Sequence, residues 1–460
     1  MITPNMIMRK PRRVKPIRKM TCKLKRRRRQ SIYATLHAIA GYSSIHTLPE
    51  ASHVKLGQLR IFLAVYESRS TAKAAELVHR TQSSVSSAIG AIETGFNLKL
   101  FERSTSGMAP NQAATALARR VGAAVLHLRD AEADFASIGY EAPRLWERAT
   151  DLQLRGLSAL AHHRSFLLAA RELNCSEPSL HRALSSFSQL TRCRLWSRTS
   201  RGVDPTREAL ILAEGIGRYE SEIRLGLEAA REANGVVSGE LLIGALPTAR
   251  HAWLPGALTN TLKRHPGCRV FAMDGPYEEQ LVALHYGRID MIIGALRPSS
   301  ATRDLEQIPI FEDSLSIVAR RDHALVRELR GGRQLSPAQL ASLGWLLPPP
   351  GTPPRQCFDS FLQVQGLPPA RCVLACNSMV TIWSLLITTD FAAVVPTSQA
   401  RSALISGRLK ILGDPIPSSR HTIGLAVRRG FVPTQLQRAF INELKTAAQH
   451  GPPAGSTAHP

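Results

Sequence analysis

At 460 residues the chain is too long for one core, and at about 100–200 residues per domain it holds two to four of them. Its 44% hydrophobic and 20% charged residues exclude a wholly disordered or fibrous chain, and no apolar run approaches the roughly 20 residues of a membrane-spanning helix, so no membrane span is expected. The 59 Lys and Arg against 35 Asp and Glu leave a net charge of +24, a balance suited to a polyanionic partner, nucleic acid above all.

Much of that charge sits at the start. Residues 1–30 carry about 13 Lys and Arg and no acid. No apolar stretch follows that would make them a secretory signal. Residues 1–50 are read either as a disordered cationic tail that adds nonspecific nucleic-acid affinity, or as an over-extended start with Met6, Met8 or Met20 as internal candidates. The seven cysteines are scattered and odd in number, which suits reduced thiols in a cytoplasm. Cys372 and Cys376 lack a matching second pair, so no metal site is expected.

From Leu56 to about Ile138 the pattern is helical. Leu59, Phe62, Leu63 and Tyr66 make one apolar stripe. Ser70 is placed to cap a helix holding Ala74, Ala75 and Val78, and Thr81 to cap a second that buries Val85, Ile89 and Ile92. A short turn between two such helices is the spacing of a helix-turn-helix. The outer face of the second helix offers Gln82, Ser83, Ser86 and Ser87, short polar groups able to meet base edges or phosphates. Leu98, Leu100 and Phe101 suit a small wing with Arg103 beside Ser104, Thr105 and Ser106, and a long helix starts at Asn111.

The ordered series Leu59, Phe62, Ser70, Ala74-Ala75, Val78, Thr81-Gln82, Val85-Ser86, Ile92-Glu93, Leu100-Phe101, Arg103 resembles the LysR-type transcriptional regulators. The resemblance implies a winged helix-turn-helix over 54–112, a dimerising linker helix over 113–138 and a C-terminal effector domain. DNA contact would then come from Ser70, Thr81, Gln82, Ser83, Ser86, Ser87 and Arg103, with Gln82 reading a base and Arg103 meeting a phosphate. Ser87 stands where the family usually has Arg, which weakens contact there; Asn111 and Ala114 replace the usual Thr and Gly, a mild change because Asn also caps well.

A shift of 95 residues reveals a second copy. Ser165, Ala169-Ala170 and Ser176 fall on Ser70, Ala74-Ala75 and Thr81, and Leu195-Trp196, Arg198, Gly202 and Pro205 fall on Leu100-Phe101, Arg103, Gly107 and Pro110. About sixteen identities over about sixty positions, in phase, mark an internal repeat. Residues 151–207 are therefore read as a second winged module and 208–234 as a second linker helix. Its candidate DNA contacts are His181, Arg182 and Arg198, opposed by Glu177 where Gln is expected, whose charge repels phosphate. A retained fold used for packing or dimerisation is the competing reading.

From Gly239 the texture turns α/β. GELLIGA, CRVFAMDG and IDMIIGA alternate with helical segments in the βαβαβ order of a parallel sheet; DSLSIVARR opens a second lobe; GLAVRRG reads as an edge strand before a closing amphipathic helix. Residues 237–448 resemble the two-lobe, periplasmic-binding-protein-like effector domain of the same regulators, carried by Leu254-Pro255, Gly287-Arg288-Ile289-Asp290 and Val395-Pro396, and the run from ALPTAR to IGALR looks closest to the branch regulating sugar-binding-protein operons. Ligands of open α/β sheets sit at strand ends against helix N-termini. The candidate effector contacts are Thr248, Ala249, Arg250, Tyr277, Thr352, Asn377 and Ser378. Residues 449–460 are read as a disordered tail.

The expected architecture is α+β: two tandem winged helix-turn-helix modules with linker helices, then a two-lobe α/β effector domain. No catalytic constellation, cofactor or metal is read in the chain. The expected partners are double-stranded promoter DNA, a small-molecule effector (a sugar or an organic acid) and further copies in a homodimer or homotetramer, with RNA polymerase as an additional candidate. Two alternatives stay open: a thiol redox sensor working through Cys357, Cys372 or Cys376, and an architectural DNA binder without a ligand.

Overall fold

The computed structural model describes residues 54–104, 107–200, 202–250, 253–298, 304–329, 334–404 and 407–450; the basic tail, the wing tip at Thr105 and Ser106 and the C-terminal end lie outside the described residues. The first module consists of α1 (Leu56–Ser68), α2 (Thr71–Leu77), α3 (Gln82–Phe96), β1 (Phe101–Ser104) and β2 (Gly107–Pro110), followed by the long α4 (Gln112–Ala136). The Ser70 hydroxyl accepts from Lys73 N at 3.3 Å and the Thr81 hydroxyl from Ser84 N at 3.2 Å, so two side-chain caps set the turn between α2 and α3. Leu59, Phe62, Val65, Val85 and Ile92 close the small core, each worth about 1.5–3 kcal/mol on burial. Near the end of α3, the Glu93 carboxylate accepts from Leu100 N and Phe101 N at 2.8 and 3.2 Å and pins the wing to the helix.

After the short α5 (Leu145–Arg148) the plan repeats as α6 (Asp151–His163), α7 (Phe166–Glu172), α8 (Glu177–Thr191), β3 (Trp196–Thr199), β4 (Gly202–Pro205) and α9 (Arg207–Ala233). Every one of these six elements begins 95 residues after its counterpart. The agreement extends to backbone detail. Gly107 and Gly202 return their wings at φ 123° and 125°, and a Cβ there would lie 2.5 and 3.3 Å from the carbonyl oxygens of Arg69 and Arg164. Met108 N and Val203 N donate to those same carbonyls at 2.9 and 3.2 Å. Glycine meets both demands at once, a left-handed backbone and a close approach.

The long helices α4 and α9 pack on each other in antiparallel sense. Gly215 faces Ala131 and Gly226 faces Arg120: a Cβ added at Gly215 would stand 2.3 Å from that of Ala131, and one at Gly226 2.8 Å from that of Arg120. Arg120 Nη1 donates to Glu222 Oε2 at 2.8 Å across the pair.

The remaining chain forms two lobes. The first contains β5 (Gly239–Ala245), α10 (Trp253–Arg264), β6 (Cys268–Met273), α11 (Tyr277–His285), β7 (Met291–Ala295) and β8 (Leu305–Asp313). The chain then crosses into β9 (Leu315–Arg320), α12 (Ala324–Glu328), α13 (Pro337–Ser342), β10 (Trp345–Leu347), α14 (Pro353–Val364), β11 (Cys372–Ala375), α15 (Met379–Thr388), β12 (Ala392–Pro396), α16 (Thr397–Leu404) and β13 (Leu409–Ile411). It returns to the first lobe through β14 (His421–Arg428) and α17 (Gln435–His450). The sheets run β6-β5-β7-β14-β8 and β11-β10-β12-β9-β13, with β5 parallel to β6 and β7 as the alternation predicts. One expectation is corrected: β14, read as an edge strand, lies between β7 and β8 and is antiparallel to both. Its Ile423, Leu425 and Val427 enter the core beside Leu241, Ile293 and Phe440, while Ala426 packs with Leu284 and Ile292 on the other face, so the strand is buried on both sides as a central strand is. The edges of this sheet are β6 and β8, and β8 is a strand the sequence pattern did not single out.

Candidate functional site

Three places carry candidate chemistry. The first is the outer face of α3, where Thr81, Gln82, Ser83, Ser86 and Ser87 are all exposed and Ser70 is half-buried at the neighbouring cap. The Gln82 amide is already oriented, donating from Nε2 to Thr71 Oγ1 at 2.9 Å, and Thr81 Oγ1 shares a hydrogen bond with Ser83 Oγ at 3.0 Å. This is a rigid, uncharged, hydroxyl-rich surface on a helix N-terminal turn, able to donate and accept along base edges and to approach phosphate. Arg103 lies on β1 opposite Met108, at the wing that borders this face.

The equivalent face of the second module is also exposed, and its chemistry differs. Glu177, His181 and Arg182 project from α8, and Arg198 from the wing. His181 rests on an aromatic pair, its ring 5.0 Å from Phe166 and 5.9 Å from Trp196. Arg182 Nη2 donates to Ser179 Oγ at 3.4 Å. Between α8 and the wing lies an open groove of about 460 Å³, to which Ser185, Ser188, Gln189, Arg194, Trp196 and Arg198 contribute. The helix that the sequence linked to subunit packing, α9, is mostly buried within its own chain, while α8 is left open.

The third place lies between the lobes. The chain crosses at Asp313–Leu315, where Asp313 Oδ1 accepts from Ser314 N at 2.8 Å and from Ser398 N at 3.2 Å, and its Oδ2 accepts from the Ser398 hydroxyl at 2.6 Å. Next to this knot, Gln399 Nε2 in the second lobe donates to Pro247 O in the first at 2.7 Å. Thr248 Oγ1 and Gln399 Oε1 are both buried without a hydrogen-bond partner. Gln399 was not among the residues expected from the sequence. A lone Gln in a short helix carries no local signal, and its role appears only when the second lobe folds back.

The other candidates divide. Ala249 is fully buried in the first-lobe core, so its methyl is a packing group and faces no ligand. Arg250 is committed: Nε donates to Ala245 O at 3.0 Å and Nη1 to Asp274 Oδ2 at 2.7 Å. Tyr277 lies beneath the Arg297 guanidinium, 4.6 Å from its ring centre, beside a cavity of about 10 Å³ that has room for little more than a water. Thr352 caps α14 without a side-chain cap bond, its hydroxyl turned to Pro349 O at 2.7 Å. Ser378 caps α15, accepting from Thr381 N and Thr381 Oγ1 at 3.4 and 3.1 Å, with exposed Asn377 beside it.

A buried polar cluster joins α9 to the first lobe. Arg224 Nη2 donates to both oxygens of Asp290 at 2.6 and 2.7 Å, and Gln437 Nε2 adds a third bond to Oδ2 at 3.0 Å. Arg428 Nη1 donates to Leu284 O and Ile289 O at 2.8 and 2.9 Å, and its Nη2 to Ser221 Oγ at 3.0 Å. Burial pulls the Arg224 guanidinium down, yet Asp290 and Glu228 outweigh it and hold its pKa above the ordinary value. Burial pushes the Glu228 carboxyl up to about 7 against the pull of Arg224. Glu232 caps α17, accepting from Gln435 N at 2.9 Å and Leu436 N at 3.1 Å. The linker helix is thereby clamped to the effector lobe.

Among the described residues no group of three or more His, Cys, Asp or Glu is arranged to hold a metal, and no helix is long and apolar enough to cross a membrane. Burial raises the Cys357 thiol pKa, which disfavours the thiolate a redox sensor uses.

Comparison with known proteins agrees with this geometry. The profile of the bacterial regulatory helix-turn-helix protein, lysR family, matches residues 56–115 and again 152–210, and that of the LysR substrate binding domain matches residues 234–449. The HTH-type transcriptional regulator GalR of Pseudomonas putida is 30% identical over 378 residues, 82% of this chain and 92% of that one. So long a stretch spans the whole second module wherever it starts. The DNA-binding transcriptional dual regulator OxyR of Escherichia coli is 26% identical over 60% of this chain and 88% of its own. A full-length OxyR variant from Pseudomonas aeruginosa shares the fold at a TM-score of 0.50 and 18% identity, covering 64% of this chain and 97% of that one. With both module types matched over most of its length, the chain belongs to the LysR family of DNA-binding transcription regulators and carries the family's winged module twice.

Proposed function

We propose that this regulator acts in the cytoplasm, reads promoter DNA with the outer face of α3, and is switched by a small neutral, hydroxylated metabolite held between the lobes at Thr248 and Gln399. The observation that carries the ligand site is the pair of buried, unpartnered oxygens, Thr248 Oγ1 and Gln399 Oε1, on opposite lobes beside the bond that joins them. A buried polar group without a partner costs about 1–3 kcal/mol, so a ligand hydroxyl that pairs with both recovers that cost only where the lobes come together. Differential affinity for the joined arrangement is what shifts a two-state equilibrium. Of the two ligand classes expected, the sugar is favoured over the organic acid, because Arg250, two residues along the chain from Thr248, already serves Asp274. In the DNA-bound assembly, a homodimer or homotetramer, phosphate contacts position the protein, with Arg103 among them, and Gln82 supplies base discrimination. RNA polymerase is the partner through which an activator of this kind would act.

Calorimetric titration of the full-length protein with a panel of neutral sugars and dicarboxylic acids tests the ligand class. Binding of sugars that is abolished by Thr248→Ala is the expected result. Binding of acids alone would overturn the class, and binding unchanged in both Thr248→Ala and Gln399→Ala would move the site.

A further inference from the structure

We propose that a single chain of this protein is a covalent pseudo-dimer whose two winged modules read two unlike half-sites of one asymmetric operator. The inference rests on the DNA-reading role of α3 proposed above and adds a second head, a symmetry and a stoichiometry.

The symmetry comes from the contacts between α4 and α9. Moving each residue to its repeat counterpart, 95 positions away, turns the contact of Arg120 with Gly226 into one of Gly215 with Ala131, and that contact is present. The same exchange turns the Arg120–Glu222 ion pair into a meeting of Gly215 with His127, where a Cβ on Gly215 would lie 2.8 Å from His127 O. A set of contacts that maps onto itself when the partners are exchanged defines an isologous interface, the product of a twofold axis. Here both partners belong to one chain. The axis that relates α4 to α9 therefore relates the two winged modules, and duplex DNA presents half-sites with twofold symmetry to such a pair.

The heads it relates are not equivalent. The α3 face presents Gln82, Ser83, Ser86 and Ser87 with no charge, whereas α8 presents Glu177, His181 and Arg182 above a groove flanked by Arg194 and Arg198. Both faces are exposed, so neither is used up in packing. The symmetry is broken on the protein side as well: the repeat places an arginine on both helices, Arg129 on α4 and Arg224 on α9, and it is Arg224 that is clamped to Asp290 of the first lobe. With α4 and α9 satisfied in cis, further copies must attach through other surfaces. Each added chain then brings two heads.

Site selection by the full-length protein from a randomised duplex pool, followed by native mass spectrometry of the selected complex, tests this. The expected site contains paired, inverted, unlike elements whose centres lie about 10–10.5 bp or a multiple apart, filled by half as many chains as elements. Gln82→Ala should weaken binding at least about fivefold through one element alone. Arg182→Ala/Arg198→Ala should shorten the protected stretch at the other element and lower the salt slope by about two per chain. Identical inverted elements, or one chain per element, would overturn the proposal. A Gln82→Ala effect with an unchanged footprint and slope for the double variant would remove the second head and leave promoter reading by α3 standing. No effect of Gln82→Ala on either element would sink both.

Discussion

Gln399 in the second lobe reaches across to the first and donates its amide to the carbonyl of Pro247 at 2.7 Å, while its own Oε1 stays buried without a partner. The bond joins the lobes but leaves the amide half-satisfied. Replacing Gln399 with Leu removes one hydrogen bond, worth about 0.5–1.5 kcal/mol, and leaves Pro247 O without that donor, while it also removes a buried orphan acceptor that costs about 1–3 kcal/mol, so the changes largely offset. Urea unfolding should therefore move by no more than about 1 kcal/mol, while the thermal shift produced by a binding sugar disappears. A retained shift would place the ligand elsewhere.

On the proposed reading face, Gln82→Ala should cost about 1–3 kcal/mol on the selected site and little on random duplex, the signature of a base contact. Arg103→Ala should weaken binding to every duplex and reduce the salt slope by about one. Titrations at two salt concentrations on both duplexes separate these outcomes. Equal losses for Gln82→Ala on the two duplexes would remove base reading from its role.

The contrast between these two sites shows what local sequence can carry. Ser70, Thr81 and Asn111 cap their helices as expected because a cap depends on three or four consecutive residues. The repeat was legible for a similar reason: its caps and wing glycines recur at constant offset. Gln399, the clamp of Arg224 on Asp290, and the place of β14 between β7 and β8 each depend on pairing between distant segments, which no local pattern encodes. Arg250 shows the same dependence on a distant segment. Its position after a strand suits an anion, but Asp274, 24 residues on, already holds it.

The Glu228 carboxyl yields a pH prediction. Burial raises its pKa from the ordinary 4.5 to about 7 in the folded chain. Between those values the folded protein keeps a proton that the unfolded chain has released, so stability falls as pH rises through the window and levels off above about 7. Glu228→Gln is neutral throughout and should flatten that stretch of the curve, gaining on the parent protein as pH rises. Urea midpoints at pH 5, 6, 7 and 8 for both proteins check the sign; a parent curve that rises across the window would contradict it.

The helix pair gives a test in which the sign itself decides. In an exposed helix interior, Gly→Ala stabilises by about 0.8–1.0 kcal/mol. At Gly215 the new methyl would stand 2.3 Å from Ala131 Cβ, so Gly215→Ala should instead destabilise by about 1–3 kcal/mol. Ala131→Gly removes the opposing methyl and alone costs about 1 kcal/mol through propensity. Combined, the two substitutions exchange which helix carries the glycine, and the double variant should recover much of the loss, with the carbonyl of His127, 2.8 Å from the Gly215 Cβ position, limiting full rescue. A coupling of about 0.5–3 kcal/mol in this double-mutant cycle is the expected reading for residues in direct contact. Measured at dilutions where only single chains are present, that coupling would place the contact within one chain. Additive effects, or a Gly215→Ala variant more stable than its parent, would separate α4 from α9.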